Sequence, residues 1–110
     1  MTDQERQKAL RAPVIVVVAA QFKKSDQVRE VEQLLSSGAA AENIMLAAEA
    51  LGYGAMWRTG DIAYDAKVKE ALGLDPKDSI AGFIYIGTRV GGSSPAPRPV
   101  PEDFLQMWQG

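Results

Sequence analysis

The chain has 110 residues, 46% of them hydrophobic and 24% charged, with a net charge of −2 at neutral pH. This is the composition of a single globular domain (residues 1–110) with enough chain for one core, and its interspersed charges argue against nucleic acid or an anionic membrane as partner. Cysteine and histidine are both absent, which excludes disulfides, thiolate nucleophiles, Ser-His triads and most zinc sites, so an enzyme built on this chain has to take its chemistry from a cofactor.

Residues 1–10 are polar with helical propensity and predict the last turns of a helix. Pro13 ends it, because the residue before a proline avoids the α region. The segment is unlike a signal peptide, and the expected compartment is cytoplasmic. Residues 14–20 form a continuous apolar run led by valine and isoleucine. Such a strand is expected in the middle of a sheet, covered on both faces. A polar loop with Lys23 and Lys24 follows.

A long helix is then predicted from Asp26 to Leu51. Asp26 is a suitable N-cap, and Glu30 and Glu32 lie near the positive end of the helix dipole. Gly52 suits the left-handed residue that stops a helix. Val28, Val31, Leu34 and Leu35 share a face of the first half. From Gly38 to Leu51 only Glu42, Asn43 and Glu49 are polar, and a helix apolar nearly all round is expected to be buried nearly all round. The small residues at 36–41 would admit a close neighbour. The apolar part is too short, and too interrupted by charge, to span a membrane.

The turn Gly52-Tyr53-Gly54 leads into a strand, residues 55–60. Asp65 caps a second helix over 66–72, with Gly73 beyond its end and Val68, Ala71 and Leu72 as its buried stripe. Residues 74–78 are a turn and 80–87 a third apolar strand. Four of the six prolines lie at alternate positions from Pro95 to Pro101. That segment is extended and has no core of its own. Phe104, Leu105, Met107 and Trp108 close the chain as apolar anchors. Residues 89–110 therefore read as an arm that grips this subunit or a partner. Strand, helix, strand, helix, strand and arm imply a layered α/β or α+β fold. Three strands leave open edges, which call for more chain or a second copy.

The pattern Gly52-x-Gly54 is not a dinucleotide fingerprint. That motif follows a strand and opens a helix, whereas here a helix precedes and a strand follows. The segment Trp57-Arg58-Thr59-Gly60 has two readings. A strand end can present a guanidinium, a hydroxyl and backbone N–H groups to a ligand with carbonyls, ring nitrogens or a phosphate. The plainer reading, favoured by the residues alone, makes Trp57 core, pairs Arg58 with a surface carboxylate and lets Gly60 turn the chain. Arg98 reads as a solvated arginine, and Glu42 and Glu49 as the wet strip of a buried helix. No catalytic side chain and no metal site is indicated.

Taken together, four blocks resemble the FMN-dependent nitroreductase family, in particular its compact bacterial branch of NAD(P)H nitroreductases. They are Arg11-Ala-Pro-Val-Ile-Val-Val-Val, residues 31–40, Leu51-Gly-Tyr-Gly-Ala-Met-Trp-Arg-Thr-Gly60, and Gly82-Phe-Ile-Tyr-Ile-Gly-Thr88. The resemblance covers nearly all of the chain, with the blocks in the family's order and spacing. It implies a three-layer α-β-α sandwich, here without the family's N-terminal helices, its Arg-Arg-Ser phosphate motif or its Gln-Pro-Trp segment. The chain is thus expected to correspond to the C-terminal portion of the family's fold. The family's Trp-Arg-Thr/Ser triplet contacts FMN and matches Trp57, Arg58 and Thr59. Residues 47–52 match a segment sometimes assigned to NAD(P) contact. The resemblance further implies a homodimer or higher homo-oligomer, formed through the long helix and the C-terminal arm. The implied activity is hydride transfer from NAD(P)H through FMN to a nitroaromatic, quinone or similar small-molecule acceptor. Without the phosphate motif, this chain by itself is expected to bind FMN weakly or not at all, and the alternative is a catalytically silent remnant that serves as a dimerising structural module.

Overall fold

The structure, a computed structural model, describes residues 3–4, 7, 11–91 and 95–110. Most of the helix expected over residues 1–10 lies outside the described residues. Three strands form one antiparallel sheet: β1 (Val14–Ala20), β2 (Gly54–Arg58) and β3 (Ser79–Gly87), in the order β1-β3-β2. The central strand is β3. The position expected for β1, mid-sheet, is corrected: among the described residues β1 is an edge. Its apolar run reflects cover on both faces, which strand order does not require. On one face lies α1 (Glu30–Ala50). On the other lie a 3₁₀ turn, Asp61–Tyr64, and the short helix α2 (Ala66–Ala71). The layers are α-β-α, as expected.

Register assigns the side chains to faces. Val16, Ile84 and Trp57 are cross-strand partners and share the α1 face; Val17, Phe83 and Arg58 share the other. Phe83 and Ile80 pack with Ala63 of the 3₁₀ turn, bordered by Ile15, Val17, Ile62, Val68 and Leu74. The 3₁₀ turn had no counterpart in the sequence reading. It buries Ala63 and gives the second layer its centre. The β1–β3 register slips between Val18 and Ala19, which pair with Gly82 and Ile80 and pass over Ala81. Such a bulge lets both Ile80 and Phe83 face the same core.

The long helix begins later than expected. Its N-cap is Arg29, not Asp26. The Ser25 hydroxyl accepts the N–H groups of Gln27 and Val28, which holds that stretch in a turn. The Glu32 carboxylate accepts the Arg29 N–H at 2.8 Å, satisfying one donor at the helix start. Gly52 ends α1 as read: its φ is +91°, and the Gly52 and Tyr53 N–H groups donate to the Glu49 and Ala48 carbonyls. Gly73 ends α2 in the same way, with φ +74° and Leu74 N–H donating to Lys69. Asp65 caps α2, its carboxylate accepting from Lys67 and Val68 N–H. Replacing Gly52 by alanine puts a Cβ in the left-handed region. It is expected to cost about 1 kcal/mol by chemical denaturation, with the sheet unchanged.

The expectation that the second half of α1 is buried nearly all round is corrected. Only Ala41 and Ala48 are buried, with Ser37, Gly38, Ile44 and Met45 partly so. A helix resting on a three-stranded sheet touches it along one stripe, and small residues fill that stripe because they allow close approach. The large apolar side chains turn outward: Val31, Leu35, Leu46 and Leu51 are all exposed. The apolar face shared by Val28, Val31, Leu34 and Leu35 is likewise exposed in this chain.

Candidate functional site

The second layer covers only part of its face of the sheet. It caps Ile80 and Phe83 and reaches Tyr85, but leaves Met56, the cross-strand partner of Tyr85, exposed beside open space. Alternation along β2 puts Arg58 on the same face as Met56. The result is an open cleft of about 410 Å³. Its walls are residues 11–13, the start of β2 from Gly54 to Met56, Arg58, Tyr85, Gly87 and Thr88. Two guanidinium groups, Arg11 and Arg58, border a mostly apolar floor. Gly54 is close to Arg89, whose Cγ a Cβ there would meet at 3.0 Å.

Arg58 is exposed, and its hydrogen-bond contact among the described residues is to the Met56 sulfur at 3.5 Å. Sulfur is a weak acceptor, so the planar fork keeps nearly all its donors for a ligand. The sequence alternative in which Arg58 pairs with a surface carboxylate is not realised: the ion pair among the described residues joins Arg89 to Glu49 at 3.4 Å. Both partners of that pair are half exposed or more, and it contributes little to stability.

The three residues of the triplet are not brought to one face. Arg58 lines the cleft. Trp57 points to the α1 side, where its indole N–H donates to the Ala81 carbonyl at 3.0 Å. Thr59 is exposed just beyond the strand, before Gly60 turns the chain at φ +89°. Of residues 47–52, Ala48 is buried in the helix–sheet contact and the others are exposed. Glu42 and Glu49 are both exposed. In the arm, the described residues 95–110 are exposed throughout, including Phe104, Met107 and Trp108. Sequence reasoning missed Met56, Tyr85 and residues 11–13 as cleft walls. The signal was available only in part: period-2 alternation pairs Met56 with Arg58, but strand order is needed to bring in Tyr85.

One further feature departs from the reading of charges as interspersed. Lys23, Lys24, Arg29 and Lys77 border a second depression of about 330 Å³, together with the carboxylate-bearing Glu30. Among the described residues no group of three potential ligands is placed to hold a metal ion, and no helix is long and apolar enough to cross a membrane.

Residues 1–88 match the model of the Nitroreductase family. With the sheet, layers and cleft described above, the chain belongs to that family. It is 36% identical over 102 residues to "Putative NAD(P)H nitroreductase YdjA" of Escherichia coli, an alignment covering 90% of this chain and 56% of that protein. A Haemophilus influenzae protein described as "Putative NAD(P)H nitroreductase" is 33% identical over 81 residues, covering 73% of this chain and 44% of its own. Among solved structures, a nitroreductase-like family protein from Bacillus cereus superposes with a TM-score of 0.78 over 100% of this chain and 63% of its own, at 24% identity. That likeness is one of fold. A nitroreductase from Desulfovibrio desulfuricans, described as being in complex with FMN, has a TM-score of 0.65 at 33% identity, covering 84% of this chain and 54% of its own. The chain thus spans less than two thirds of the length of each of these proteins.

Proposed function

We propose that this chain contributes the β2–β3 side of a flavin site in an FMN-dependent NAD(P)H oxidoreductase. The observation that carries the reading is the family match across residues 1–88. The FMN named for the Desulfovibrio desulfuricans relative supports the choice of cofactor. The residues present fit such a group. A flat conjugated ring with polar edges suits an apolar floor of Met56 and Tyr85, bordered by arginines. When bound, FMN supplies hydride chemistry, taking a hydride from NAD(P)H and delivering it to a nitroaromatic, quinone or similar acceptor. The chain's own part is to bind and orient. Arg58 holds a carbonyl, ring nitrogen or phosphate through its fork and favours negative charge there. Thr59 offers a hydroxyl beside it, and Trp57 fixes the strand that carries both.

The outward apolar residues of α1 and the exposed anchors of the arm support a homodimer or higher homo-oligomer. So many large apolar side chains left exposed fit an interaction surface. In this reading residues 89–110 clasp the partner and the chain functions in the cytoplasm.

The test is a visible absorbance spectrum of the purified protein before and after soaking with FMN and desalting. A flavin band retained after desalting and bleached by NAD(P)H supports the reading for this chain. A protein that stays colourless sinks the enzyme reading for this chain and favours the dimerising structural module. Arg58→Ala is expected to weaken FMN binding by about tenfold or more, since a charge-assisted hydrogen bond contributes roughly 1.5–3 kcal/mol. Arg58→Lys keeps the charge but loses the fork, and recovers only part of the affinity in the same flavin-fluorescence titration.

A further inference from the structure

The side chain of Trp57 is keyed into a slot. Gly82, on the neighbouring strand β3, forms its floor: a Cβ built there would overlap the indole, lying 2.6 Å from Cδ1 and 3.0 Å from Cε2. Any other residue at 82 would have to expel the ring. Gly38 of α1 borders the far edge of the ring, where a Cβ would lie 3.8 Å from Cη2, an ordinary contact. The indole N–H donates to the carbonyl of Ala81, the residue the β1–β3 register passes over. The bulge and the glycine thus act together, one presenting an acceptor and the other making room.

This slot sits at a place that would otherwise fray. Strand β2 is an edge of the sheet and pairs with β3 from Gly54 to Arg58. Arg58 is its last paired residue, and the chain turns away at Gly60. Among the described residues the Arg58 side chain has only a weak sulfur contact to hold it. Trp57 and Arg58 share a peptide plane, and Cβ directions alternate along a strand, so a fixed Trp57 on one face constrains the direction in which the Arg58 side chain leaves the strand on the other.

We propose that Trp57 is a positioning residue: locked by Gly82 and the Ala81 carbonyl, it sets the presentation of Arg58 and Thr59 to an anionic or carbonyl-rich ligand without touching that ligand through its indole. The assignment rests on the flavin reading above for the identity of the ligand. It adds a role for Gly82, which lies outside the cleft altogether.

The experiment uses the full chain, isotopically labelled, in a Trp108→Phe background that leaves Trp57 as the lone indole reporter. Gly82→Ala and Trp57→Phe are compared with the parent. In Gly82→Ala the indole emission shifts to the red. The amide signals of Arg58 and Thr59 move, while those of Lys67 and Val68 in the α2 cap stay in place. The FMN dissociation constant rises about tenfold, and the visible band of bound FMN changes shape. Trp57→Phe loses the N–H donor but keeps an aromatic ring, so the same signals move less and affinity falls about threefold. If Gly82→Ala does not fold, Trp57→Phe decides alone. The proposal is overturned if the Arg58 and Thr59 amides hold their positions in the folded variants, or if FMN affinity stays within twofold of the parent. Should the parent take up no FMN, the flavin reading fails separately, and the amide shifts alone decide whether the slot positions these two residues.

Discussion

Replacing Ile84 by alanine is expected to destabilise the chain by about 3 kcal/mol, the middle of the range for truncating a fully buried isoleucine. Ile84 has 0% exposure and is the largest side chain buried so completely among the described residues. It sits at the centre of the central strand, with Val16 paired on one side and Trp57 on the other, under α1. The cavity left there has no easy way to collapse. Its floor is the sheet itself, and its roof is a helix already close because Gly38, Ala41 and Ala48 lie in its contact stripe. Equilibrium urea unfolding at one fixed protein concentration measures the effect. Ile84→Val serves as the milder partner, expected to cost about 1 kcal/mol. Val14→Ala, at a half-exposed position of the β1 edge, is expected to cost less than about 1 kcal/mol. Equal losses for Ile84→Ala and Val14→Ala would contradict a core centred on β3.

How much of this was legible in the sequence follows from what each signal reports. Strand boundaries came through well because β-branched runs and flanking glycines are local features; 14–20 matches β1 outright. The caps at Asp65, Gly73 and Gly52 were equally local, each set by one residue's backbone or side-chain chemistry. Strand order was not legible. A continuous apolar run reports cover on both faces, and β1 has that cover as an edge strand, because α1 lies on one side and the 3₁₀ layer near the other. The burial of α1 failed for a related reason. Apolar content says that a surface avoids water, not what covers it, and Leu35, Leu46 and Leu51 point away from this chain's own sheet. In the candidate site, the sequence singled out Trp57, Arg58 and Thr59 as a unit. Period-2 geometry splits them, sending Trp57 to the helix side and Arg58 to the cleft. Tyr85 and residues 11–13 join the cleft only through long-range pairing, which no local pattern encodes.

Asp78 carries the second large prediction. It is the buried charged residue of the described chain, 4% exposed, and it ends the turn before β3. One carboxylate oxygen accepts the N–H of Phe22, 56 residues away, at 3.2 Å; the other accepts the Asp75 N–H at 2.9 Å. A single side chain therefore ties the exit of β1 to the approach to β3. The Asp78 N–H donates in turn to the Asp75 carbonyl, so the turn closes on itself around the carboxylate. Asp78→Ala removes the acceptor for two backbone donors at once. Each donor left without a partner costs roughly 1–3 kcal/mol if it stays buried. Water reaches Asp75, which is exposed, more readily than Phe22, which is half-buried. The expected loss is therefore about 2 kcal/mol, most of it at Phe22. Asp78→Asn retains one carbonyl oxygen, serves one donor well and faces the other with its own NH₂ group, so it falls between alanine and the parent. Urea unfolding gives the totals, and amide hydrogen exchange locates them. In Asp78→Ala the Phe22 amide is expected to lose protection while Ile84, in the centre of β3, keeps it up to the new global stability. If Asp78→Ala unfolds within 0.5 kcal/mol of the parent, the carboxylate is not the tie between these strands.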